Sequence, residues 1–239
     1  MHKVAVIARR ELASYFNAPV AYIVIVTFLL VAGWMFFSSL FLMGRADLRP
    51  LFAPSPFSPS MLLVIIAPAV TMRLIAEERK SGTIELISTM PVKKWEIIAG
   101  KFTAAYALLA VSILSTLVYA FSVSAIGDLD WGSVIAGYFG MLLFAGALTS
   151  IGLLCSTLTQ NQIVAFIVAF IVSAALYFVY WLQFFVPASL APLVEFVSVS
   201  SHLESMARGV IDTRNIVYYF SLIGGALFIA TRVLSRQRS

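Results

Sequence analysis

Charge, cysteine and histidine are all scarce in this sequence. Asp, Glu, Lys and Arg make up 11% of it, where a soluble domain carries about a quarter, so a free globular domain is excluded. One cysteine, Cys155, leaves no internal disulfide to form. The two histidines, His2 and His202, stand far apart with no Cys or carboxylate at ligand spacing, which argues against a metal site. No Gly-x-x-x-x-Gly-Lys-Ser/Thr occurs; the fragment Gly100-Lys101-Phe102 lacks both the upstream glycine and the hydroxyl residue, so no ATP site or other cofactor is expected on this chain. No ionisable residue falls in the middle of any long apolar stretch, which argues against an ion-coupled carrier. Ser200, Ser201, His202 and Glu204 are neighbours on one expected helix, an arrangement that rarely makes a nucleophile, base and orienter. His202 reads as an interfacial polar residue, and the chain as no enzyme.

What remains is apolar. The chain is 61% hydrophobic with a mean hydropathy of +0.98, and six stretches are long enough to cross a bilayer: residues 20–43, 57–73, 97–126, 131–158, 163–187 and 215–231. The expected fold is an all-α membrane protein, one domain over residues 1–239. Its basic residues gather at span ends and form no aromatic-interleaved face, so nucleic acid is not the partner. With both termini and residues 73–101 placed inside, that side holds twelve Lys and Arg against five Asp and Glu, and the other side four against six. The positive-inside rule then puts both termini in the cytoplasm.

The connecting segments carry the detail. Residues 3–16 predict an amphipathic helix in the membrane interface, with Val4, Ala5, Ala8, Leu12, Tyr15 and Phe16 on one side. Lys3, Arg10 and Ser14 lie opposite, and Arg9 and Glu11 at the borders can reach lipid headgroups or a neighbouring loop. A signal peptide is the alternative, but the apolar run 20–43 is too long for one. Four prolines in 44–59 predict an extended outside loop, and Pro68 a kink in the second span. The third span is over-long, which places Lys101 among the headgroups. Gly137, Gly140, Gly146, Ser150, Gly152 and Ser156 give the fourth span a small-residue packing surface, and the short turn 159–162 makes the fifth its antiparallel neighbour. Residues 195–209 predict an outer amphipathic helix with Phe196, Val199, Leu203, Met206 and Val210 on its apolar face, and Glu204 and Arg208 paired across one turn. It ends at Gly209, and Asp212-Thr213 caps the last span.

The most informative stretch is 73–101, which holds six of the sixteen basic residues and four of the eleven acidic ones between two spans. Ser81-Gly82-Thr83 has the residue types that stop one helix and start another, and Pro91 closes the short helix expected over 83–90. Ile84, Leu86, Ile87 and Met90 are too apolar for a free loop. The order Glu77-Glu78-Arg79-Lys80-x-Gly82-Thr83-x-Glu85-Leu86, then Pro91 and a basic, Trp-containing return, resembles the first cytoplasmic loop of ABC-2 type transporter permeases. It is closest to the gliding-motility branch, which includes the permease of nitrous-oxide-reductase maturation. The run 206–214, with Gly209-Val210-Ile211-Asp212-Thr213-Arg214, extends the resemblance towards the last span.

The resemblance implies a coupling helix at 83–90 that sits in a cleft of a separate ABC ATPase subunit, with ATP and Mg on that partner. Glu77, Glu78, Arg79, Gly82, Thr83, Glu85, Leu86 and Pro91 are the matching positions. It also implies a second permease copy, or a similar permease, and an exporter-like role. On the outer side Phe196, Leu203, Arg208 and Asp212 are candidates for shaping the end of a path or holding an extracytoplasmic auxiliary protein, against simply resting in lipid headgroups. Hydropathy alone equally permits a membrane anchor or mechanotransmitting scaffold with no translocation path.

Overall fold

Backbone N–H and C=O groups find no water inside a bilayer, so an apolar chain has to pair them within helices or within a closed barrel. The computed structural model, which describes residues 2–44, 47–83, 92–185, 187 and 189–236, takes the first route. Its described residues form helices and turns, with no strand among them. In chain order the helices are α1 (His2–Asn17), α2 (Val20–Met43), α3 (Arg49–Phe52), α4 (Pro59–Thr71), α5 (Arg73–Lys80) and α6 (Lys94–Ser115). They continue with α7 (Leu117–Ser124), α8 (Trp131–Leu158), α9 (Gln162–Leu182), α10 (Ala191–Val197), α11 (Val199–Ala207) and α12 (Thr213–Arg236).

Among the described residues six segments have the length and composition of membrane spans: Val20–Leu42, Pro59–Lys80, Lys94–Ser124, Trp131–Leu158, Gln162–Leu182 and Thr213–Arg236. The protein is a multi-pass membrane protein. The first and fourth spans fall where the sequence puts them. The fifth stops at Leu182 rather than 187, because Gln183, Phe184 and Phe185 turn back onto Tyr180, Trp181 and Leu182 with i→i−3 bonds of 3.4, 3.3 and 2.9 Å. This tightening commonly ends a helix. The sixth runs five residues past 231, and the Arg232 guanidinium folds back over the Phe228 ring, 5.0 Å from its centroid, keeping its charge near the span end.

α8 is the axis of the bundle: 83% of its span window is buried, against 22% for α9 and 17% for α12. Its glycines explain how so many elements reach it. A Cβ at Gly137 would run into Phe52 of α3, one at Gly140 would lie 2.7 Å from Met206 Cβ of α11, and one at Gly152 would run into Thr71 of α4. Gly146 faces Ile223 of α12 and Tyr106 of α6 at 3.1 and 3.4 Å. Each missing side chain admits a different neighbour, the close approach that helices in lipid rely on when no hydrophobic force separates protein from solvent. α9 runs back along α8 after a turn in which Asn161 Oδ1 accepts from the Ile163 N–H, burying the stripe Ala165, Ala169, Ser173 and Tyr177.

The expected outer helix over 195–209 is two helices. The Ser198 hydroxyl oxygen accepts from the Ser201 N–H at 3.3 Å, an N-cap that starts a new helix and ends the old one. Val199, Leu203 and Met206 are fully buried while Phe196 and Val210 are 65% and 58% exposed. α11 therefore belongs to the bundle and lies against α8; it does not rest in headgroups. Gly209, at φ +87° and pressed on Ser133, ends it.

Candidate functional site

Three helices meet at the end of the bundle that carries α1. α1 lies along α6, and Gly100 makes room for it: a Cβ there would stand 2.7 Å from Ile7 Cγ2. The next residue, Lys101, is thereby held against α1 with its side chain 2% exposed. Where the sequence expects Lys101 among the headgroups, α1 covers its side chain. Taking an ammonium out of water costs several kcal/mol, roughly, unless carboxylates replace the solvent. Lys101 Nζ donates to Glu11 Oε1 of α1 at 2.9 Å and to Glu78 Oε1 of α5 at 2.7 Å. These carboxylates are 22% and 20% exposed. Glu78 Oε2 is buried with no hydrogen-bond partner among the described residues.

A cavity of about 260 Å³ beside the triad is lined by Arg10, Glu11, Tyr15, Arg73, Glu78 and Lys101, among others. Its acids and bases largely neutralise one another, which favours holding helices together over capturing a charged ligand. Tyr15 ties α1 to the span: its hydroxyl donates to Val70 O at 2.9 Å, and the Arg73 guanidinium lies 4.9 Å from its ring centroid. Burial pushes the Tyr15 phenol well above its ordinary value, so it stays a donor.

α5 carries the matching positions that are described. Glu77 is exposed, and its carbonyl accepts from the Ser81 N–H and hydroxyl, each at 2.9 Å. Glu78 enters the triad. Arg79 donates to Thr157 O, near the end of α8, at 2.8 Å. Gly82 has φ +72°, a left-handed value that suits glycine after a helix end. The Thr83 hydroxyl lies 2.9 Å from that of Ser81 and donates to Glu78 O at 3.3 Å. Glu85, Leu86 and Pro91, with the coupling helix expected over 83–90 apart from Thr83, lie outside the described residues. The chain re-enters the bundle where Lys93 N–H donates to Glu96 Oε2 at 2.8 Å, fixing the start of α6.

At the opposite end Glu204 does pair with Arg208, at 3.9 Å, but its shorter partner is Arg49 of α3, at 2.7 Å. Long-range packing has supplied a better-placed cation than the helix neighbour. Asp212 Oδ1 accepts from the Arg214 N–H at 2.8 Å at the start of α12. Phe196 is exposed and Leu203 is buried, so these two candidates do not share a surface. His202 stacks on Tyr218 at 4.0 Å and its Nδ1 lies 2.7 Å from Asn215 Oδ1, a packed polar residue. Among the described residues no cluster of His, Cys, Asp or Glu could hold a metal.

The sequence names Glu11, Tyr15 and Lys101 without joining them: Glu11 stands at a helix border, Tyr15 on an apolar stripe and Lys101 among headgroups, whereas the structure brings them together. The available signal was a lysine directly after glycine, inside an otherwise apolar helix. Such a residue demands a carboxylate, and Glu11 is the acid that α1 carries.

Residues 57–222 match the ABC-2 family transporter protein family, a stretch that includes Glu78 and Lys101 but not Glu11. Over 112 residues the chain is 33% identical to the probable multidrug ABC transporter permease YbhR of Escherichia coli strain K12, and equally so to the protein of that name from Escherichia coli O157:H7. That alignment takes in 47% of this chain and only 30% of either relative. The family match is the broader of the two, running over more than half of the chain from the approach to α4 into α12, and with six spans on the page it shows that the chain belongs to the ABC-2 family of transporter proteins, as a membrane permease.

Proposed function

We propose that this permease is the membrane half of an exporter-like transporter, driven by a separate ABC ATPase subunit that holds ATP and Mg and docks on residues 83–91. The observation that carries the reading is the Lys101 triad. It joins α1 to α5 and α6, which flank the loop, so a push on the loop reaches an interfacial helix and two spans together. The positive-inside rule supports a cytoplasmic location for this end of a bacterial inner-membrane protein. A second copy, or a similar permease, would complete the transport unit. The resemblance of 77–91 and 206–214 supports the gliding-motility branch.

The substrate class that fits is amphiphilic, entering from the lipid, in keeping with the relatives' description as multidrug permeases. The buried hydroxyls of Ser112, Thr149 and Ser150 donate to carbonyls of their own helices, at 3.0, 2.7 and 2.7 Å, and so offer little to a hydrophilic solute. The same observation favours a second reading, an ATPase-driven anchor or scaffold without a path. Co-purification tests the docking: Glu85→Lys or Leu86→Asp should lower ATPase recovery about tenfold while the permease still inserts, and full recovery with both variants would remove the assignment. ATP-dependent accumulation of an amphiphilic dye in proteoliposomes containing the complex separates transporter from scaffold.

A further inference from the structure

Where α4 gives way to α5, a hydroxyl from another helix sits in the backbone ladder. Ser156 of α8, fully buried, donates to Met72 O at 2.9 Å and accepts from the N–H groups of Ile75 and Ala76, each at 3.1 Å. One donor and two lone pairs are all a hydroxyl has, so this one is fully used. In an uninterrupted helix Ile75 and Ala76 would donate to the carbonyls of Thr71 and Met72, and a side chain inserted at such a point is a recognised cause of a helix break. The ladder is thus open at Met72, one turn beyond Pro68, although Met72 itself keeps helical dihedrals of −53° and −34°. Pro68 is still inside α4, and Met72 N–H donates to its carbonyl at 2.9 Å. Gly152 admits Thr71 on one side of the break, and Thr157 O receives Arg79 on the other. One edge of α8 therefore holds the whole transition from α4 to α5.

We infer that Ser156 is a positioning residue, whose hydroxyl keeps the ladder open at Met72 and so sets the direction in which α5 leaves the bundle. Two arrangements compete. In the latched one the hydroxyl occupies the ladder and α5 stands where Glu78 meets Lys101. In the closed one Ile75 and Ala76 bond to Thr71 and Met72, and α4 and α5 form one uninterrupted helix. Both satisfy the backbone, which is what makes a switch between them accessible. Resting on the reading that 83–91 engages an ATPase, this latch is the point at which movement of α5 reaches α8, the most buried span.

The test uses the full chain with Cys155→Ala and spin labels at Lys80→Cys and Gln160→Cys. Ser156→Ala and Ser156→Val should shift or broaden the interlabel distance, while Ser156→Thr, matching Val in shape but keeping the hydroxyl, should preserve it. An unchanged distance in the Ala and Val variants overturns the latch, and so does a Thr variant that behaves like Val. In the co-purified complex, Ser156→Val should lower transport per captured ATPase about tenfold relative to Ser156→Thr, with capture equal. Equal transport in the two overturns the coupling role. If the wild-type chain captures no ATPase, the docking reading falls instead, and the label distances still decide the latch.

Discussion

Lys101 shows how a single charge can organise a corner of a membrane protein. Lys101→Met would leave Glu11 and Glu78 facing each other around an apolar side chain. Removing one partner of a buried pair costs about 3–5 kcal/mol, and the partial exposure of both carboxylates brings the expected loss down to about 2–3 kcal/mol. The thermal midpoint in detergent should fall accordingly, and Glu11→Gln/Glu78→Gln/Lys101→Met should recover most of it. An unchanged midpoint in the single variant would show that the triad does not hold the corner. The lysine itself was legible in the sequence, and so was the need to keep its charge near an interface. Its burial was not, because the acid that completes the site is 90 residues away in the chain, and only the packing of α1 across Gly100 brings the two together. Leu203 gives the opposite lesson. Its helical spacing marked a one-sided apolar face, but spacing alone does not say whether protein or lipid covers that face.

At the scale of helices, the long spans were readable from hydropathy because a bilayer imposes one length on all of them. The breaks were not. Ser198 divides the outer helix through a local hydrogen bond, and Ser156 interrupts the second span through bonds to residues far away in sequence, on another helix; neither carries a hydropathic signal. The small-residue face of the fourth span was legible as a packing surface, and the structure shows that its glycines receive different partners. Gly152→Ala would place a methyl against Thr71, forcing α4 away from α8 at a cost of about 1–3 kcal/mol. Gly225→Ala, on α12 with nothing within 4 Å of the added carbon, should cost nothing and gain up to about 1 kcal/mol from helix propensity. Paired unfolding measurements should separate the two variants. Equal stability would mean that the approach of α4 to α8 is loose enough to absorb a methyl group.

For the molecule as a whole, the distribution of charge makes a prediction about orientation. In a Cys155→Ala background, Lys3→Cys should react only with thiol reagents that cross the membrane. Asp128→Cys, in the turn before α8, should react with impermeant reagent applied to intact cells. The reverse pattern would invert the topology. The burial of α8 has a further consequence, in the biogenesis of the chain. Among the six described spans α8 precedes α9 and α12, two of the helices that cover it. A newly inserted α8 must therefore tolerate acyl chains against the glycine-lined face that later holds Ile223. Its apolar side chains secure entry into the bilayer without help from its neighbours; Gly137 and Gly152 receive Phe52 and Thr71 of helices already made, whereas Gly140 and Gly146 wait for Met206 of α11 and Ile223 of α12. α12 is thus a late piece of the core, and until it arrives part of the most buried described span is still exposed to lipid.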